Sequence, residues 1–141
     1  MIAALGTAVA LVLLLLSGLH VYWLLGGGIG KDVSLPESEG QPAFRPGAVG
    51  TAAVAVALLA AAGVIALRAG VVELPVSGPL VRFGTWAVAA AFLLRAIGDF
   101  RYVGLFRRVR GTRFARWDAR LYTPLALGLG IGAAVIAHSA R

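Results

Sequence analysis

No Asp, Glu, Lys or Arg occurs between Ile2 and Leu25. An apolar run of that length constrains the chain more than any other feature. As a helix it crosses about 30 Å of hydrocarbon, and in lipid only a helix or a closed barrel satisfies the backbone. The run lacks a basic leader and ends in His20-Val21-Tyr22-Trp23 rather than a small-residue cleavage site. It therefore reads as a retained span, not a removed signal. Three further apolar runs cover residues 48–67, 80–106 and 121–139. The expected fold is all-α: an integral membrane four-helix bundle with short loops, a single domain over residues 1–141.

Composition supports this. Hydrophobic residues make up 60% of the chain and charged residues 13%, against about a quarter charged in soluble domains. Without cysteine, disulfides, thiolate metal sites and cysteine nucleophiles are excluded.

Four spans put the first and third loops on one side and both termini on the other. The third loop holds Arg107, Arg108, Arg110, Arg113, Arg116 and Arg120, and the first holds Lys31 and Arg45. The other side has Arg68, Arg82 and Arg141. The positive-inside rule then places loops one and three in the cytoplasm and both termini outside. Because the arginines lie between apolar runs, they read as a topology signal, not a nucleic-acid surface. Within them, Phe114, Trp117 and Leu121 recur at helical spacing. This predicts a basic interfacial helix over Arg107–Arg120, meeting anionic headgroups; a solvated turn is the plainer alternative. Gly128, Gly130 and Gly132, and Ala53, Ala57 and Ala61, offer small faces for close helix packing, within one monomer, in a homo-oligomer or in a larger membrane complex.

Ionisable groups inside a span are costly and so direct attention to function. Arg95 and Asp99 are four apart, on one face of a helix that continues past them, with Tyr102 extending the stripe. Ser17, His20 and Trp23 end the first span on the same side, and Asp118 and Tyr122 open the fourth. These eight residues form the expected ligand pocket, with Asp99, His20 and Tyr122 as candidate catalytic groups. Each also has a structural reading. Arg95–Asp99 can be an internal salt bridge, His20 a hydrogen-bonded interfacial residue, Trp23 and Trp117 interface anchors, and Asp118 the N-cap of the fourth helix. No metal or cofactor is expected. His20 and His138 belong to opposite membrane faces, about 25–30 Å apart, and Gly26–Gly30 lacks the Lys-Ser/Thr that completes a phosphate loop.

Several stretches resemble a family of small bacterial membrane proteins grouped as domain of unknown function 3995. They are His20-Val21-Tyr22-Trp23 with Gly26-Gly27, the segment Arg95–Phe106, Phe114-Ala115-Arg116-Trp117-Asp118, and Leu121-Tyr122-Thr123-Pro124-Leu125. The resemblance implies four spans in a bacterial inner membrane and no particular activity. Two functions stay open. One is a binding or accessory protein that holds a lipophilic small molecule or docks a membrane partner. The other is a small intramembrane enzyme of isomerase or cyclase type acting on an isoprenoid or lipid. In it Asp99 would move the proton, tuned by Arg95, with His20 or Tyr122 as second group.

Overall fold

Four long helices dominate the computed structural model, which describes residues 1–139; Arg141, counted above for the terminal side, lies outside the described residues. Helix α1 covers Ile2–Leu24. The first loop holds a single turn, α2 (Lys31–Ser34), and a two-residue hairpin of β1 (Glu37–Ser38) and β2 (Gln41–Pro42). Helices α3 (Ala48–Arg68) and α4 (Gly78–Ile97) follow. The last span is one continuous helical run, Arg113–His138. It is built from α5 (Arg113–Trp117), a π turn (Asp118–Tyr122) and α6 (Thr123–His138). All four are long and apolar enough to cross a membrane, and the chain is a multi-pass membrane protein by that measure.

The helices form a ring in which α1 packs on α3 and α6, and α4 packs on α3 and α6, leaving α1 and α4 diagonal. Small residues face inward: Ala62, Ala89 and Ala133 surround the fully buried Leu13, Ile65 and Ile136. Large ones face outward, among them Leu15, Val56, Phe83 and Leu94. This inversion suits lipid, which solvates apolar side chains as well as a core does, so helices associate by close packing of small faces. A Cβ on Gly130 would meet the Leu93 side chain at 2.8 Å, which marks the tight α4–α6 crossing. Gly132 approaches Val9, but Gly128 has nothing within 4 Å. On α3, Ala53 and Ala57 are exposed and the inward positions are Ala55 and Ala62. The packing faces are thus offset from the small-residue spacing read in the sequence.

Two span boundaries differ from expectation. The third span stops at Ile97 rather than continuing to residue 106. Gly98 takes φ 91° and ψ −171°, an extended conformation at positive φ that leaves the helix and that glycine alone adopts readily. The chain then folds back: Leu105 N–H donates to Ala96 O (2.8 Å) and Phe106 N–H to Ile97 O (3.5 Å). These bonds satisfy carbonyls that the helix end leaves open. The fourth span starts earlier than residue 121, at Arg113, capped by Thr112, whose Oγ1 accepts from Ala115 N–H at 3.1 Å. Pro124 therefore lies inside the helical run. Its ring crowds the carbonyl four residues back and it has no N–H. The π turn just before it accommodates this, with Thr123 N–H donating five residues back to Asp118 O.

Candidate functional site

The fold-back after α4 and the π turn before α6 meet at one carboxylate. Asp118 is fully buried. Its Oδ1 accepts from Arg95 Nη2 at 2.7 Å. Its Oδ2 accepts from Gly104 N–H (2.9 Å), Thr123 Oγ1 (2.9 Å) and Arg107 Nη1 (3.3 Å). One anion thus ties together the last turn of α4, the connecting loop and the fourth span. Arg107 Nη1 also donates to Gly104 O at 2.6 Å. A buried carboxylate is tolerable only when paired and hydrogen-bonded on both oxygens, and this one is. Two guanidiniums on one carboxylate leave the cluster with an excess positive charge.

The Arg95–Asp99 pair expected from the i,i+4 spacing does not form. It required two more helical residues, and the helix ends at Ile97. Asp99 instead closes the turn, its Oδ1 accepting from the N–H groups of Arg101 (2.9 Å), Tyr102 (2.7 Å) and Val103 (2.9 Å). Slight burial pushes its pKa upward, but the backbone donors from Val103, Arg101 and Tyr102 outweigh that and hold the carboxyl below the usual carboxylate value. The turn is tight because Gly98 and Gly104 touch. A Cβ on Gly98 would sit 1.7 Å from Val103 O, and Gly104 itself has φ 88°. Phe100 stacks on Phe106, and the Arg101 guanidinium lies 4.9 Å over the Tyr102 ring.

The other expected pocket residues are engaged elsewhere. Ser17 Oγ donates to Ala55 O at 2.8 Å, joining α1 to α3. His20 Nδ1 lies 2.8 Å from Leu16 O on its own helix; a carbonyl can only accept, so that nitrogen carries the proton. Its ring meets Trp23 edge-on at 4.9 Å. Trp23 Nε1 donates to Ile29 O at 2.8 Å, folding the glycine-rich loop back on α1. Tyr122 Oη donates to Val33 O at 3.3 Å, and Arg113 pairs with Asp32 at 3.2 Å, which seats loop one against loop three. Among the described residues, no hydrogen bond or ion pair joins Ser17, His20 or Trp23 to Arg95, Asp99 or Asp118. Arg95, Tyr102, Asp99 and Asp118 do gather at one end of α4, but through a closed knot of loop and helix. The stripe of Phe114, Trp117 and Leu121 is split: Phe114 is buried, and Trp117 and Leu121 face out. No group of three or more His, Asp or Glu able to hold a metal occurs among the described residues.

Residues 13–133 match the family described as "Protein of unknown function (DUF3995)". The chain belongs to that family. The matched region of this DUF3995 protein takes in Arg95, the fold-back, Asp118 and Thr123. No curated protein and no solved structure matches the chain.

Sequence reasoning placed Asp118 in the expected pocket or at a helix cap and missed its role as the partner of Arg95. It missed Arg107 and Gly104 as well. One signal was available. Beyond Glu73 the chain holds just two acidic residues, Asp99 and Asp118, and Gly98 directly before Asp99 is a helix-stop signal. That turns Asp99 away and leaves Asp118 for the arginine.

Proposed function

We propose that this DUF3995 protein is a binding or accessory protein of the bacterial inner membrane, holding anionic lipid headgroups at its arginine-rich end. In this reading loops one and three face the cytoplasm and the termini lie outside. The supporting observation is the Asp118 cluster, in which one buried carboxylate accepts from four donors: two arginines, a backbone amide and a threonine. From Arg95 to Arg120 there are eight arginines and two aspartates. Asp118 is buried and Asp99 is turned to the backbone of its own loop, so the arginine surplus is left for outside anions. Arg108 and Arg120 have no side-chain partner among the described residues, and Arg110 and Arg116 bond only carbonyls. Anionic leaflets attract such juxtamembrane arginines by about 1 kcal/mol each.

The same engagement argues against proton transfer. A general acid or base works best with a pKa near the operating pH. Asp99 is displaced the other way, and Asp118 is fully buried with both oxygens hydrogen-bonded inside the fold. The reading is tested by native mass spectrometry of the detergent-extracted protein, with and without Arg108→Gln, Arg110→Gln and Arg116→Gln together. Retained anionic phospholipid, fewer molecules of it on the triple variant, is the expected result. A neutral isoprenoid held equally by both proteins overturns it.

A further inference from the structure

A second polar region lies at the opposite end of the bundle, where the sequence offered only scattered residues. Between the end of α3, the start of α4 and the end of α6 is an open groove of about 960 Å³, lined by Arg68, Pro79, Arg82, Phe83, Trp86 and His138. Arg68 Nη2 donates to the carbonyls of Ala137 (3.1 Å) and Ser139, so it closes the end of α6 and forms the groove's wall. Arg82 is exposed and, among the described residues, has neither a hydrogen bond nor an ion-pair partner. Among the described residues no acidic side chain lines the groove; Glu73 borders an adjoining hollow with Arg68. The first turn of α4 contains no acid either, so the positive end of its dipole adds to the charge of Arg82.

The order of residues along α4 gives the groove a polarity gradient. At 1.5 Å per residue, Arg82 stands about 6 Å inside the start of the helix at Gly78, and Trp86 about 6 Å deeper. Phe83 and Trp86 are both exposed. A cation at headgroup depth with aromatic rings beneath it is complementary to an amphiphile with an anionic head and acyl chains. We propose that this groove binds one anionic phospholipid of the leaflet at the terminal side. Its phosphodiester meets Arg82, beside His138, and its acyl chain lies along Phe83 and Trp86. This site is separate from the arginine-rich end and stands whether or not that end binds headgroups.

The test uses Trp86 as a reporter. In a Trp23→Phe, Trp117→Phe variant, Trp86 is the only indole left of the chain's three. The variant is placed in vesicles containing acyl-brominated phosphatidylglycerol or acyl-brominated phosphatidylcholine. We expect the anionic lipid to quench Trp86 with about five-fold higher apparent affinity, the worth of one surface arginine. Arg82→Gln should abolish that preference. Inorganic phosphate, at ionic strength matched with chloride, should leave it intact. Equal quenching by both lipids, or a preference that survives Arg82→Gln, overturns the proposal. So does competition by inorganic phosphate, which would make the ligand a soluble anion. Because Trp23 bonds Ile29, the indole variant can lose stability. Native mass spectrometry of the otherwise unaltered chain against Arg82→Gln is therefore a second reading. One anionic lipid fewer on the variant supports the proposal, and equal numbers refute it. The triple change at Arg108, Arg110 and Arg116 should alter neither result.

Discussion

Replacing Asp118 by Asn removes one charge and keeps the side chain's shape, so it isolates what the cluster contributes. The carboxylate accepts from four donors. An amide presents one accepting oxygen and one donating nitrogen, so whichever way it turns, a donor faces a donor. Breaking a buried ion pair costs about 3–5 kcal/mol, because the remaining charge is left without compensation. Arg95 is 34% exposed and can recover some solvation, whereas Arg107 is 13% exposed and can recover little. The lower end applies, about 3 kcal/mol, or roughly a hundred-fold in the folding equilibrium. SDS titration of the protein in mixed micelles, followed by far-ultraviolet circular dichroism, measures it. Asp99→Asn is the control. Its side-chain oxygen still accepts backbone amides, so the loss there should stay below about 1 kcal/mol. A triple variant, Arg95→Met, Arg107→Met and Asp118→Leu, should regain most of the loss, since apolar replacements of a whole buried cluster are often neutral. If Asp118→Asn costs no more than Asp99→Asn, or the triple variant is no better than the single one, the cluster does not hold the bundle end together.

Further outcomes follow from the same contacts. Gly104→Ala puts a Cβ 2.5 Å from Gly98 Cα at φ 88°. Strain of about 1–3 kcal/mol from the backbone conformation alone should appear in the same titration. Gly130→Ala should lower thermal stability in detergent by pushing α4 away at Leu93, whereas Gly128→Ala, which meets nothing within 4 Å, should be neutral or better. The pKa of Asp99 is lowered from its model-peptide value of 3.8. Its contribution to stability is therefore full above that pH and is lost as pH falls through the folded-state value. Acid titration of unfolding should show this component in the parent and not in Asp99→Asn. Arg113→Gln breaks a pair with Asp32 in which both side chains are more than half exposed. It should cost well under about 1 kcal/mol by denaturant titration.

The four spans were legible in the residues alone, because membrane insertion depends on length and apolarity, which are local and additive. Ile2–Leu24 and Ala48–Arg68 match their apolar runs closely for that reason. The arginine excess between Arg95 and Arg120 was equally plain. Which carboxylate answers Arg95 was not. Asp99 is nearer in sequence, and helical spacing favours it only while the helix continues. One glycine at positive φ, Gly98, ends the helix and turns Asp99 to its own backbone. Asp118, twenty-three residues away from Arg95, reaches the arginine because Thr112 starts the last helix early and Pro124 forces a π turn at that level. Helix order in the ring was likewise undetermined by composition, since four apolar faces pack in more than one arrangement. The close approaches at Gly130 and Gly132 select the one in which α1 and α4 lie diagonal, and that separates His20 from the α4 charges. Local chemistry decides what can enter a membrane; which groups then meet is decided by backbone turns and steric contact, which couple residues far apart in the chain.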